Sequence, residues 1–118
     1  MSQFKCNQPW IGVDLDGTLA EWHGWHPDKK IGEPIPAMME RMYKWLHTPG
    51  VTVKIFTARV AMNAELEIPR IQEWLAKHGL PELEITNVKD MFMVEMWDDR
   101  AIQVITNTGI AVRLSVRD

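Results

Sequence analysis

The first residues of this sequence that could do chemistry are two aspartates with one residue between them. Asp14 and Asp16 belong to the run Asp-Leu-Asp-Gly-Thr, which directly follows a short apolar segment. Side chains two residues apart on an extended chain point to the same side, so we expect both carboxylates to converge on one point. Converging carboxylates need a cation, a shared proton or separate roles. A hard divalent ion such as Mg²⁺ suits them, because it takes oxygen ligands and leaves room for phosphate.

Further polar residues follow the later apolar segments. A hydroxyl, an ammonium and a second pair of acids occur where strands should end: Thr57, Lys89, Asp98 and Asp99. In open α/β sheets, ligands bind beyond the carboxyl ends of the strands. Together with the first pair, these groups would supply a nucleophile, a proton donor, positive charge for a phosphate and acids for a metal. The set predicts phosphoryl transfer.

The segments that must position these residues alternate between strand and helix patterns. Apolar runs rich in strand formers predict strands over residues 10–15, 51–56, 83–86 and 91–97. Helical spacing of apolar residues predicts one helix that begins at Pro36 and stops before Pro49, and a second over about 61–78. This alternation predicts an α/β fold: a single Rossmann-like three-layer domain over residues 1–118, with a mainly parallel central sheet.

Two segments depart from this alternation. Residues 17–35 mix Gly, Pro, His and Trp without a period, and they predict a long loop or small flap after the first strand. Residues 101–105 and 110–116 flank a turn at 107–109 and predict an added strand pair. The gaps that follow the first two strands are too short for a large inserted domain, so we expect a relatively open site.

The flap contains two tryptophans and two histidines: Trp22, His23, Trp25 and His26. The tryptophans fit two hypotheses, a platform on which a base or sugar stacks, or an apolar anchor that holds the flap against the domain. The histidines are three residues apart, but no cysteine or carboxylate at a useful spacing completes a zinc site. We therefore assign them no metal.

Composition restricts the class of protein. The chain has 118 residues, a formal net charge of −3 and 46% hydrophobic residues, which is typical of one globular domain. This charge gives no basic surface for nucleic acid, although a local cluster would still admit a nucleic-acid substrate. The single cysteine, Cys6, cannot form an internal disulfide and is interpreted as inert. With no signal peptide and no apolar run of about 18 residues, we expect a cytoplasmic protein without a membrane partner.

The motifs DLDGTL, FTAR, a following lysine and WDDR occur in this order, and with them the chain resembles the haloacid dehalogenase-like hydrolases over nearly its whole length. The resemblance implies a Mg²⁺-dependent phosphatase that forms an aspartyl-phosphate. Asp14 would be the nucleophile. Asp16 would protonate the leaving oxygen and later activate water, with its backbone carbonyl on the metal. Asp98 and Asp99 would anchor the same ion, either of them directly and the other through water, and the carboxylate of Asp14 would also contact it.

The resemblance also implies a phosphate-binding set. Thr57 would hydrogen-bond a phosphoryl oxygen, with Ala58 and Arg59 beside it in the substrate site. Lys89 would neutralise phosphate charge and orient the nucleophile, but it departs from the family pattern. It precedes the last acidic pair by only nine residues, where many family members have a full helix. Arg59 and Arg100 each fit either a substrate contact or an ion pair with a nearby acid.

The substrate and one other function stay open. A capless site would admit large phosphorylated substrates, or small ones where a homo-oligomer covers its mouth. FTAR and the DDR ending are similar to the phosphatase half of polynucleotide kinase/phosphatases, so a nucleotide or nucleic-acid end ranks first and a small metabolite second. The chain has no GxxxxGK[ST] loop, so we predict no kinase half. A receiver-like phosphate-binding module ranks last, because receivers carry the adjacent acidic pair first and the sequence has the spaced pair first.

Overall fold

The computed structural model describes residues 8–25, 27–28 and 30–113, so Cys6 and His26 lie outside the described residues. Its four strands form one parallel sheet in the order β3-β2-β1-β4. The strands are β1 (Trp10–Val13), β2 (Val53–Phe56), β3 (Ile85–Thr86) and β4 (Met93–Trp97). The four predicted strands are confirmed, and each is shorter than the apolar run that predicted it.

The strand order explains why the acidic residues meet. β1, β2 and β3 follow one another across the sheet, and the chain then returns to pair β4 with the other edge of β1. In open α/β sheets, ligands bind at such a reversal of strand order. The register aligns Val13 of β1 with Trp97 of β4, so these two strands end side by side. Asp14 and Asp98 are the next residues along the two strands.

Two helices connect the first three strands within the described part of the chain. α1 (Pro36–Leu46) begins with a proline, whose missing N–H removes no helical hydrogen bond in the first turn. α2 (Arg59–Lys77) is interrupted at Asn63, where φ is −166° and ψ is 91°. Both predicted helices are confirmed. α2 begins two residues before its predicted start, which brings Arg59 into its first turn.

Both helices pack on the same face of the sheet, where one apolar core forms. Its strand members alternate along β1 and β2, and its helix members include Met42 from α1 and Ile71 and Leu75 from α2. The opposite face carries the intervening residues, among them Trp10 and Gly12. A Cβ at Gly12 would collide with the end of the Met93 side chain, so Met93 packs directly on the backbone of β1 at this point.

The segment over 17–35 is more firmly attached than a flap. Leu19, Ala20 and Ile31 are buried in the core, and Ala20 pairs in isolated bridges with Asp16 and Pro34. The ends of the segment are therefore part of the domain. Its tip, with the two tryptophans, extends over the carboxyl ends of the strands.

The chain after β4 differs from its prediction. Where a strand pair was expected, the structure has a turn with one antiparallel bridge, Val104 to Ala111, and residues 114–116 lie outside the described residues. Val104, Ile105, Ile110 and Val112 are all exposed, so no core packing extends this pairing into strands. Among the described residues, no helix is long and apolar enough to cross a membrane.

Candidate active site

Three carboxylates gather where β1 and β4 end. One oxygen each of Asp14, Asp98 and Asp99 lies within 4.8 Å of the others. The backbone fixes this arrangement, because the N–H of Asp14 donates to the carbonyl oxygen of Trp97 at 2.9 Å. The predicted meeting of the first and last acidic motifs is therefore present.

Among the residues that the structure describes, no lysine or arginine forms an ion pair with this cluster. Burial, followed by the charge of Asp98 and a side-chain hydrogen bond with Asp99, raises the pKa of Asp14 to about 7. The hydroxyl of Thr18 approaches Asp14 Oδ2 at 3.3 Å, but a hydroxyl brings no positive charge. Like charges held this closely favour a shared proton or a bound cation.

Gly17 permits the close approach of Asp99. Its φ of +92° lies in the region that residues with a side chain rarely adopt. A Cβ at this position would lie 2.5 Å from Asp99 Oδ2. The sharp exit from β1 expected at Gly17 thus also makes room for the last carboxylate of the cluster.

Asp16 lines the same cavity as Asp14, but its carboxylate is not one of the three that cluster, so the expected convergence of both carboxylates on one point is met only in part. Its oxygens accept hydrogen bonds from Arg59 Nε at 2.7 Å and from Arg59 Nη2 at 2.9 Å. The reason is that β1 stops at Val13, so the extended-chain geometry behind the expectation does not reach Asp16. The family resemblance assigned the backbone carbonyl of Asp16 to the metal, and the ion pair between the Asp16 carboxylate and Arg59 does not engage that carbonyl.

Arg59 is the buried centre of a second group of charges. Its side chain is only 1% exposed, and Nη1 donates to Glu67 Oε1 at 3.0 Å. Burial lowers the pKa of Arg59, but the hydrogen bonds and charges of Asp16 and Glu67 outweigh burial and raise it above the ordinary value. Of the two alternatives for Arg59, the structure shows the ion pair.

Thr57 follows β2 and is hydrogen-bonded to both Arg59 and the end of β3. Its hydroxyl accepts the backbone N–H of Arg59 at 3.1 Å, and its own N–H donates to Thr86 at the end of β3. Thr57, Ala58 and Arg59 all line one cavity together with Asp14 and Asp16.

The structure does not bring Lys89 into this cavity. Lys89 is exposed, and the next residue, Asp90, accepts a hydrogen bond from the Trp10 indole at 2.9 Å, at the start of β1. Residues 87–92 are all described and form no helix, so the chain runs directly from the end of β3 to the beginning of β4. Asn87 lines the cavity instead, a position that its place directly after Thr86 could have indicated.

The cavity has a volume of about 470 Å³ and an aromatic wall. Trp22 and Trp25 both line it and meet edge to face, with ring centroids 6.1 Å apart. The guanidinium of Arg59 lies 5.0 Å from the Trp25 ring, and that of Arg100 lies 5.5 Å from the Trp22 ring. Trp25 is 51% exposed, so its ring is accessible to a ligand.

Sequence reasoning missed Glu67, the partner of Arg59. Glu67 is 1% exposed, although an acid within a helix usually faces solvent. One signal was available: Glu67 is four residues before Ile71 and eight before Leu75, so it falls on the apolar face of the helix.

Comparison of the chain with protein-family models, with curated proteins and with solved structures finds no match. The functional assignment therefore depends on the motifs and on the geometry described above.

Proposed function

We propose that this chain is a Mg²⁺-dependent phosphatase that hydrolyses phosphate monoesters through an aspartyl-phosphate on Asp14. The observation that carries the proposal is the meeting of Asp14, Asp98 and Asp99 at the reversal of strand order. Membership of the haloacid dehalogenase-like hydrolases, with a Rossmann-like domain in the cytoplasm, is part of the proposal. Its support is the order of the four motifs along the parallel sheet.

The donor set fits a magnesium ion. Carboxylate oxygens are ligands that this ion prefers, and the cluster provides one from each of three residues, Asp14, Asp98 and Asp99. Burial is the main cause of the raised pKa of Asp14, and the negative charges of Asp98 and Asp99 add to it, so a bound cation would offset part of this effect. When bound, the ion would offset the charge of a phosphate held against Asp14.

In the first chemical step, an oxygen of Asp14 forms a bond to phosphorus while the bond from phosphorus to the ester oxygen breaks. The electron pair of the broken bond stays on the ester oxygen. In our assignment Asp16 begins this step protonated and gives its proton to that oxygen, so the alcohol leaves neutral and Asp16 is left as a carboxylate. Asp16 lines the same cavity and is 16% exposed, which leaves its carboxylate in contact with the substrate space.

In the second step, Asp16 accepts a proton from water, and the water oxygen bonds to phosphorus. The bond between Asp14 and phosphorus breaks, and its electron pair returns to the carboxylate. The products are the alcohol and inorganic phosphate. This pair of proton transfers is what distinguishes a hydrolase from a receiver-like phosphate acceptor.

The phosphate-binding role is assigned to Thr57 and Arg100, because both line the cavity. Arg100 takes over the charge role that the family resemblance gave to Lys89, which is exposed outside the cavity lining. Arg59 contributes by holding Asp16 instead of by contacting the phosphate.

The substrate we propose is a nucleotide or a nucleic-acid end. Its support is the wall of Trp22 and Trp25, since aromatic side chains stack on any base. A small metabolite phosphate is the alternative, and the cavity of about 470 Å³ has room for either class.

The test is a screen of phosphate esters that includes 3′-phosphorylated oligonucleotides, mononucleotides and sugar phosphates. We expect phosphate release that requires Mg²⁺ and stops with a chelator. Asp14→Asn should lose roughly 10⁴-fold or more in rate while it stays folded, because an amide is nearly isosteric but cannot attack phosphorus. Glu82→Gln, which removes an exposed charge, is the control. Near-normal turnover by Asp14→Asn would contradict the covalent mechanism.

A further inference from the structure

The proposed chemistry leaves one buried acid without a role. Glu67 lies inside α2 and is 1% exposed. A buried carboxylate is costly unless it is paired and hydrogen-bonded, so its partners indicate why it is there.

The main partner of Glu67 is Arg59, the residue that holds Asp16. Arg59 donates from Nη1 to Glu67 at 3.0 Å, and from Nε and Nη2 to Asp16 at 2.7 and 2.9 Å. The guanidinium thus lies between one carboxylate in the core and one in the cavity. Its planar fork fixes the directions of all three bonds.

We propose that Glu67 is a positioning residue for Asp16 and acts through Arg59. This inference rests on the proposed function, in which Asp16 transfers the protons. Without Glu67, the long side chain of Arg59 would lose its anchor in the core, and its guanidinium would be oriented less firmly. With Glu67 in place, the plane of the guanidinium, and therefore the plane of the Asp16 carboxylate, is fixed.

Two further contacts agree with a positioning role. Arg70 Nη1 lies 3.5 Å from the second oxygen of Glu67, so both oxygens of this acid face a guanidinium. The backbone N–H of Arg59 donates to the Thr57 hydroxyl, which links the same residue to the predicted phosphate contact.

The arrangement leaves Asp16 able to handle a proton. Each carboxylate oxygen has two lone-pair directions, and Arg59 uses one on each oxygen. The remaining directions are available to the leaving group or to water in the cavity that Asp16 lines.

The test compares Glu67→Gln with Glu65→Gln, a matched change at an exposed position of the same helix. First-turnover rates are measured with an alkyl phosphate and with p-nitrophenyl phosphate, whose leaving group hardly needs a proton. A misplaced catalytic group costs up to about 100-fold, so we expect a 10- to 100-fold loss on the alkyl ester and less than about threefold on the aryl ester. The Michaelis constants should stay within about threefold.

A double-mutant cycle separates this role from a structural one. If Glu67 acts through Asp16, adding Glu67→Gln to Asp16→Asn should cause no further loss on the alkyl ester. Equal losses on both esters, or losses that multiply in the double variant, would overturn the inference. Arg59→Lys provides a second test should Glu67→Gln fold poorly, because a lysine keeps the charge but cannot bridge both acids, and we expect the same selective loss on the alkyl ester.

Failure of the proposed function gives a different result. In that case the unmodified chain would show no Mg²⁺-dependent hydrolysis of either ester. An active unmodified chain, with Glu67→Gln behaving like Glu65→Gln, would overturn the positioning role alone.

Discussion

The two carboxylates that begin the site lie two residues apart in sequence and in opposite electrostatic surroundings. Asp14 faces Asp98 and Asp99, whereas Asp16 faces Arg59, which Glu67 supports from the core. Within the described part of the chain, ion pairs balance the negative charge on the Asp16 side of the cavity but not on the Asp14 side. A cluster of like charges without a paired cation indicates where a cation from solution would bind. A balanced one indicates where a side chain is held in a fixed orientation.

This contrast also separates the two chemical roles. The phosphate has to reach a nucleophile that lies beside a metal. The side chains around that nucleophile must therefore be ones that can ligate the ion, such as carboxylates. A proton carrier has to keep its place through two steps, so a rigid partner suits it. Pairs of carboxylates in different surroundings commonly divide roles in this way in enzymes.

The largest expected effect is on stability and tests the side of the cavity where Arg59 pairs with Asp16 and Glu67. Arg59→Met would leave Asp16 and the buried Glu67 without their shared cation. Removing one partner of a buried ion pair typically costs about 3–5 kcal/mol, and we expect a loss of this size in the free energy of unfolding measured with urea. Arg41→Met is the control, because Arg41 lies 5.0 Å over Trp97 but is exposed. That variant should lose no more than about 1 kcal/mol. Equal losses in both variants would show that Arg59 stabilises the chain only by ring contact.

The next effect tests the unbalanced side. Replacing both Asp98 and Asp99 by Asn removes two of the three clustered carboxylates. Because carboxylate number sets the affinity for a hard cation, the half-saturating Mg²⁺ concentration should rise about 100-fold, which corresponds to about 2.7 kcal/mol. Without metal, the double variant should be no less stable than the parent chain, since like charges have been removed.

The control for this double variant is Glu65→Gln with Glu82→Gln, two exposed acids outside the cavity. It should leave the magnesium dependence of activity unchanged. An unchanged half-saturation in the Asp98 and Asp99 double variant would remove those residues from the metal site.

Much of the fold could be predicted because its signals are local. The apolar runs gave all four strands, and Pro36 gave the first residue of α1. The meeting of Asp14 with the last acidic pair also followed, since parallel strands end at one edge of the sheet. The added strand pair did not form as predicted, because alternation alone does not supply a surface on which Val104 and Ile110 could pack.

The details of the site depend on contacts far apart in sequence. The position of Asp16 is set by Arg59, which is 43 residues away, and by the end of β1 at Val13. The position of Lys89 after a strand predicts that it lies in the site. In the structure it is exposed, because the chain runs directly from β3 to β4. Neither contact leaves a periodic pattern from which it could have been inferred.

A smaller effect tests the aromatic wall of Trp22 and Trp25, which lines the cavity together with both Asp14 and Asp16. Trp25 lies over Arg59 on the balanced side and is 51% exposed. If it stacks a base, Trp25→Ala should raise the Michaelis constant for mononucleotides about tenfold, since stacking contributes about 1–3 kcal/mol per base. The constant for p-nitrophenyl phosphate should change little.

Trp25→Phe is the matched variant, because it keeps a ring and should restore most of the affinity for mononucleotides. The melting temperature distinguishes a substrate contact from an anchor. A destabilised Trp25→Ala with equal losses on all substrates would favour the anchor hypothesis and would remove the structural support for a nucleotide substrate.

The smallest expected effect is the change in the free energy of unfolding per pH unit, measured on the chain without metal. The pKa of Asp14 is about 7 in the folded protein, against an ordinary value of 3.8. Between these values the folded state binds more protons than the unfolded state, so the free energy of unfolding should fall as the pH rises from about 4 to about 7. Asp14 can contribute a slope of at most about 1.4 kcal/mol per pH unit, and partial exposure of its side chain reduces that slope.

Urea unfolding at several pH values in the presence of a chelator measures this slope, and Asp14→Asn isolates it from the other titrating groups. The parent chain should lose stability over this pH range relative to Asp14→Asn, while Glu82→Gln should follow the parent. Adding Mg²⁺ should oppose the loss, because the ion binds the deprotonated carboxylates and thereby stabilises the folded state increasingly as the pH rises. Parallel pH profiles for the parent and Asp14→Asn without metal would mean that the cluster is not electrostatically strained. The contrast between the two sides of the cavity would then be one of geometry alone.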